Sequence, residues 1–242
     1  DSIIVDSGSL LHEMIDSCMS QSCIALDTEF IRIDTFFPKP ALIQIFDGQQ
    51  VYLVDPLKVE DLEPLKHLFL APSVVKVMHS CSEDMEVFSC LVDCYPSPLV
   101  DTQVAANLVG YDFSISYQRL VEITLDEQLE KSETRSNWLS RPLTSQQLQY
   151  AADDVLWLLD VYDVLVEKLE SLDRLSWLYE DCEALVSRHA EVQDVNHYYL
   201  RVKSAWRLSP PELNRFKSLC VSILDKFRLD NRPIKLLYVV VE

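Results

Sequence analysis

Two acids, Asp27 and Glu29, end the run Cys23-Ile24-Ala25-Leu26-Asp27-Thr28-Glu29-Phe30, which otherwise reads as a buried strand. Side chains alternate across a strand, so both carboxylates share one face, roughly 7 Å apart along the pleat. Two like charges held beside an apolar strand must reach solvent, share a proton or bind a cation. A third acid, Asp84, follows the alternating Val74-Val75-Lys76-Val77-Met78-His79 and the serine-rich Ser80-Cys81-Ser82. Strand hands over to helix there, and a capping box of Ser80 with Glu83 would set Asp84 in the first helical turn. Tyr150 and Asp154, four apart on a later helix, are neighbours on one face, which Ala151 and Ala152 allow to approach a sheet closely. Asp153 is turned about 100° away from that face.

The elements that must position these residues follow from periodicity. A strand at Ile3 to Val5 precedes a helix from Ser9 to Ser20, with Leu10, Leu11, Met14, Ile15 and Cys18 at helical spacing. Ala41 to Phe46 and Val51 to Val54 read as a hairpin turning at Asp47-Gly48 and returning beside strand 23–30. A helix at Leu62 to Leu70, the strand ending at His79, a helix over 83–91, the strand Leu99 to Asp101 and a helix after Thr102 then alternate. This predicts an α/β fold, a mixed sheet flanked by helices. Asp126 to Leu143 reads as a hydrophilic surface loop. Its Trp138, between Lys131 and Arg141, either stacks a base while the cations hold phosphate or pins the loop to the core. Thr144, with Gln147 at the capping-box position, starts a helix whose apolar stripe runs without interruption to Leu165.

Composition narrows the function classes. The 242 residues are 48% apolar, enough for one sizeable core and a small appendage. The longest apolar runs fall far short of a bilayer span and the first residues lack the basic start of a signal peptide, so no membrane role is expected. Seven cysteines without a C-x-x-C pair indicate neither a disulfide framework nor a zinc knuckle, and a reducing compartment is the default. No glycine-rich loop is present, so no nucleotide cofactor is expected; no G-x-S-x-G elbow or histidine pair at i, i+4 is found. The net charge of −18 conceals a split, because residues 201–242 carry nine Lys or Arg against four acids. A basic appendage can hold a polyanion, while an acidic body repels phosphate unless divalent cations lie between them.

Three motifs in order resemble the tyrosine branch of the DEDD superfamily of 3'-to-5' exonucleases, and within it the ribonuclease D family. They are D-x-E at Asp27-Thr28-Glu29, H-x-x-x-x-D from His79 to Asp84, and Y-x-x-x-D from Tyr150 to Asp154. Leu42-Ile43-Gln44, Asp101-Thr102-Gln103 and the stretch from Lys131 to Leu143 add to the likeness, which covers about residues 20 to 240. The resemblance implies a ribonuclease-H-like sheet and a metal-dependent exoribonuclease releasing 5'-mononucleotides from RNA 3' ends. DNA as substrate and a non-catalytic RNA-binding scaffold are the alternatives. It also implies two ions, Mg²⁺ or Mn²⁺, suited to hard oxygen donors and able to stabilise both the attacking and the leaving oxygen. By the same analogy Asp27 bridges the ions, Glu29 and Asp154 hold the one beside the attacking water, Asp84 supports the site and Tyr150 positions the water. RNA with a free 3' end, of the transfer-RNA precursor class, is the implied partner, with a cytoplasmic location and a monomeric chain expected.

Contacts to the terminal nucleotide are less determined. His79 and Gln44 either hydrogen-bond near it or satisfy buried backbone groups, and alternation turns Phe30 away from the acids toward the core. Residues 1–170 are expected to form the catalytic domain, 171–200 a connecting helical segment, and 201–242 the start of a small all-helical nucleic-acid-binding domain. Ser209-Pro210-Pro211-Glu212 is a strong helix start there. This last part resembles an incomplete helicase-and-ribonuclease-D C-terminal domain. The apolar run Leu236 to Val241 is expected to mark the chain as a fragment, to pack back on the chain or to be covered by another.

Overall fold

The computed structural model describes residues 2–33, 35, 37–129, 136–192, 199, 202 and 204–230. Lys131 and the apolar run at 236–241 lie outside these residues. In chain order the elements are β1 (Ser2–Val5), α1 (Gly8–Met19), β2 (Cys23–Ile31), β3 (Lys39–Phe46), β4 (Val51–Val54), α2 (Pro64–Phe69), β5 (Val75–Met78), α3 (Asp84–Val92) and β6 (Leu99–Asp101). There follow α4 (Thr102–Val109), α5 (Tyr117–Leu125), α6 (Ser145–Leu156), α7 (Leu158–Ser171), α8 (Leu175–Val192) and α9 (Pro210–Asp230).

The six strands form one mixed sheet in the order β1-β4-β3-β2-β5-β6. β2, β3 and β4 pair antiparallel through the expected hairpin, and β5 and β6 add in parallel on the other side of β2. Strand alternation divides the core in two. Ile24, Leu26, Ile43 and Ile45 face α1, α2 and α3, burying Leu11, Met14, Leu68 and Phe88. Ala25, Leu42, Leu53 and Val77 face α4 to α7, burying Ala105, Leu120, Val155 and Leu165. β2 thus lies at the middle of three layers, the position from which acids at its end can be met by helices of both faces.

Two departures from simple periodicity shape the site. The pairing of β2 with β3 slips between Glu29 and Phe30, from Glu29↔Leu42 to Phe30↔Pro40. The extra residue, Ala41, lies in β3 beside Pro40, which has no N–H to give to a ladder. Phe30 is half-buried and lines the pocket described below, as do Leu26 and Thr28 of its own strand face, a correction to its reading as a core residue. The helix expected to run unbroken from Thr144 to Leu165 is two helices, interrupted at Trp157 (φ −97°, ψ −2°). The break lets α6 lie across β2, β3 and β4 while α7 packs on β2, β5, α4 and α5.

The segment after residue 135 is stapled rather than solvated. Trp138 is 2% exposed, with its ring 6.0 Å from that of Tyr150, so it pins the loop to the core and offers no face to a base. Arg141 forks onto Asp55 (2.6 and 2.8 Å) and donates to the carbonyls of Ala41, Trp138 and Ser140. Its guanidinium is therefore structural and not a phosphate ligand, a correction to the reading of it as a substrate contact. Burial raises the Asp55 carboxyl, but the bonds from Arg141 and the Leu57 N–H outweigh that and hold it below its usual range. Removing one partner of such a pair leaves the other charge buried and unpaired. Arg141→Ala is expected to cost about 3 kcal/mol in urea unfolding; a loss below about 1 kcal/mol would show that solvent replaces the arginine.

Among the described residues no helix is long and apolar enough to cross a membrane. All seven cysteines are free thiols.

Candidate active site

Three elements bring five residues to one pocket. Asp27 and Glu29 come from the end of β2, Asp84 from the first turn of α3, and Tyr150 and Asp154 from one face of α6. Together with Phe30, His79, Ser80, Glu83 and Tyr117 they line a cavity of about 230 Å³. The phase of α6 is set at its start, where Thr144 accepts from the Gln147 N–H (3.1 Å) and Gln147 Oε1 accepts from the Thr144 N–H (3.0 Å). Ala151, fully buried, lets the helix sit against the sheet with Tyr150 and Asp154 over the acids of β2. The Tyr150 hydroxyl donates to the Asp154 carboxylate, the neighbour one turn on.

Asp84 is held differently from the expected capping box. Glu83, not Ser80, is the N-cap residue of α3, and no side chain caps it. Ser80 instead takes a left-handed conformation (φ 56°), rare for a residue with a Cβ. Asp101, the N-cap of α4, stabilises that turn through its carboxylate, which accepts from the N–H groups of Ser80 (2.9 Å), Cys81 (3.0 Å) and Gln103 (2.8 Å). Thr28 Oγ1, on β2, then donates to Asp84 Oδ1 at 2.5 Å, tying the third acid to the strand that carries the first two. Neither Asp101 nor Thr28 is marked as a site residue by its local sequence, since each acts through a partner at least 20 positions away.

His79 lines the pocket with both ring nitrogens engaged, Nδ1 with Thr102 Oγ1 (2.8 Å) and Nε2 with the Ile115 carbonyl (3.0 Å). Gln103 Nε2 donates to the same carbonyl (3.0 Å). The two side chains fix the turn before α5, and so place Tyr117, buried beside the acids with its hydroxyl donating to the Asp153 carbonyl (3.3 Å). Of its two readings, His79 satisfies the second, a tie between β5, α4 and the turn. Gln44 is fully buried and does not line the pocket, which corrects its reading as a nucleotide contact.

The electrostatics of the pocket are those of a crowded anion cluster. Burial, and then repulsion from Asp84, Asp154 and Glu29, push the Asp27 carboxyl well above its usual range. Glu29 is raised to about 9, by burial and then by Asp154 and Asp84. Asp84 and Asp154 are raised to about 7, burial being the main cause in each. Four carboxyls that resist ionisation together are what a site for a divalent cation provides, and oxygen-only donors select Mg²⁺ or Mn²⁺ over softer metals. As they stand, no three acid, histidine or cysteine side chains among the described residues are gathered tightly enough to hold an ion. The donor chemistry of the four carboxyls nonetheless fits a hard divalent cation.

A mixed sheet covered by helices, with acids from β2, α3 and α6 converging on one pocket, places the chain among proteins of the 3'-5' exonuclease fold family. Residues 2–170 match the family model described as 3'-5' exonuclease, and the chain belongs to that family. Within it the similarity runs to ribonuclease D. The chain is 45% identical over 226 residues to ribonuclease D of Pseudomonas paraeruginosa, covering 90% of this chain and 60% of that protein. Ribonuclease D of Escherichia coli K12 is 35% identical over 226 residues, 93% of this chain and 59% of that one. The crystal structure of Escherichia coli RNase D, described as an exoribonuclease involved in structured RNA processing, superimposes with a TM-score of 0.90 at 34% identity. That match covers 98% of this chain and 63% of the other. The catalytic core of RRP6 from Trypanosoma brucei follows at 26% identity and TM-score 0.70, over 77% and 52% of the two chains. The chain thus spans about 60% of the length of the ribonuclease D proteins it resembles.

Proposed function

We propose that this chain carries the catalytic centre of a metal-dependent 3'-to-5' exoribonuclease that releases 5'-mononucleotides from RNA 3' ends, with transfer-RNA precursors as the substrate class. The observation that carries the reading is the convergence of Asp27, Glu29, Asp84 and Asp154 with Tyr150 on one pocket. A monomer working in the cytoplasm completes the proposal, and the ribonuclease D likeness supports it.

In this reading Asp27 would be the ligand the ions share, Glu29 and Asp154 would hold the ion beside the attacking water, and Asp84 would support the site from α3. Bound Mg²⁺ or Mn²⁺ would stabilise charge on the attacking and leaving oxygens and lower the pKa of the water. Tyr150 orients: its hydroxyl fixes Asp154, and an ordinary phenol near pKa 10 is a poor base at neutral pH. Thr28 and Asp101 keep Asp84 in place. Tyr150→Phe is therefore expected to lower kcat about 10- to 100-fold, the usual loss for a residue that orients a metal ligand, with KM little changed. Circular dichroism should show an intact fold, and a loss confined to KM would make Tyr150 a substrate contact instead.

The test of the function is digestion of matched 3'-labelled and 5'-labelled single-stranded RNA and DNA oligomers, with Mg²⁺, with Mn²⁺ and with chelator. Mononucleotides should leave the 3' end of RNA in the presence of metal only. Faster digestion of DNA would move the substrate class, and RNA binding without cleavage under any metal would make the chain a binding scaffold.

A further inference from the structure

β3 places one more polar group beneath the acids. Gln44 is fully buried, and neither its Nε2 nor its Oε1 has a hydrogen-bond partner among the described residues. Buried amides are almost always paired, so an orphaned one needs a cause. In the sheet Gln44 stands directly across from Asp27. Residues opposed on neighbouring strands project to the same face with their Cβ atoms about 5 Å apart, within reach of a four-atom side chain. That face is the one α6 covers, and Gln44 is outside the pocket lining, so it stands behind Asp27 and out of the substrate's path. Asp27 shares with the other acids the repulsion of the cluster, has the Thr28 N–H as a hydrogen-bond donor, and is the acid that the register sets across from Gln44. The type of residue matters as well. A lysine or arginine there would neutralise the carboxylate and compete with a cation, whereas a carboxamide donates a hydrogen bond and leaves the charge intact.

We propose that Gln44 is a positioning residue for the cation site, its Nε2–H donating to the ionised Asp27 carboxylate when a divalent ion is bound. The inference rests on the exonuclease reading above. It gives the orphaned amide a cause: its acceptor is at hand, but the interaction belongs to the loaded site.

The test uses the 242-residue chain and Mn²⁺ alone. Binding of Mn²⁺, followed by electron paramagnetic resonance without RNA, should weaken about 10-fold in Gln44→Met, which keeps the length and apolar volume but has no donor. Thermal unfolding of the metal-free variant should be unchanged or improved, because an unpaired buried amide is removed. Unchanged Mn²⁺ affinity, or a fall in metal-free stability with affinity retained, would overturn the proposal and leave Gln44 a packing residue. Should Gln44→Met not fold, wild-type protein with ¹⁵N-labelled glutamine gives the second measurement. One buried side-chain amide proton should move downfield on titration with Mg²⁺, and a set of amide signals indifferent to Mg²⁺ would overturn the assignment. Wild type that neither binds Mn²⁺ nor shortens RNA defeats the exonuclease reading and this inference together. An active wild type with a Gln44→Met that binds metal equally defeats this inference alone.

Discussion

Asp27→Asn is expected to lower exonuclease turnover by on the order of 10³-fold or more while leaving the protein folded. All four acids are electrostatic neighbours of one another, and in the proposed arrangement Asp27 is the one that both cations would share. Losing a residue that merely orients a metal ligand already costs about 10- to 100-fold, so losing a ligand common to both ions costs more. Asparagine keeps the shape and one oxygen but not the charge, so the effect isolates electrostatics from packing. The measurement is the single-turnover rate of 3'-end shortening at saturating metal. Activity above about a tenth of wild type would remove Asp27 from the centre of the mechanism.

The same substitution, and Asp154→Asn with it, should make the metal-free protein more stable, a gain opposite in sign to the loss of activity. Glu29, Asp84 and Asp154 have folded-state pKa values of about 9, about 7 and about 7, against about 4 for exposed carboxyls. The folded chain therefore holds protons that the unfolded chain has lost, and stability falls as pH rises from about 4 through 7, and to 9 for Glu29. Each tenfold difference in proton affinity between the folded and unfolded chain is worth about 1.4 kcal/mol, so metal-free wild type should lose about 2 kcal/mol from each of Asp84 and Asp154, and about 3 kcal/mol from Glu29, between about pH 5.5 and pH 8. Added Mg²⁺ should recover most of it, because an ion that binds only the folded state stabilises that state and favours the ionised acids. Asp154→Asn at about pH 8 should raise the metal-free Tm by about 5 °C and flatten its pH dependence. A wild-type Tm that rises over the same pH interval without metal would show that the acids are solvated and separate.

Much of this arrangement was legible because its signals are local. Asp27 and Glu29 share a face by strand alternation, Tyr150 and Asp154 by helical spacing, and the Thr144–Gln147 box announces the start of α6 three residues apart. The hairpin at Asp47-Gly48 and the strand ending before His79 are of the same kind. What misled was also local evidence taken alone. Trp138 and Arg141 have the composition of a nucleic-acid loop, yet Asp55, 86 positions away, captures the arginine and the core takes the indole. The apolar stripe from Leu148 to Leu165 carries no mark of the break at Trp157, which arises from the different surfaces under α6 and α7.

The order of residues along the chain was enough for the inventory: a mixed sheet, four acids and a tyrosine in the order and spacing of an exonuclease, and an acidic body followed by a basic end. How that inventory is held emerged only with the packed chain. Phe30 lines the pocket beside the register slip between β2 and β3, Asp101 sustains the left-handed Ser80 that delivers Asp84, and His79 with Gln103 fixes the turn before Tyr117. Gln44 comes to lie behind Asp27 by strand register. The division has a physical cause. Periodicity and capping depend on neighbours within a few residues, whereas a buried polar group takes whatever partner packing brings to it, and that partner stands anywhere in the chain.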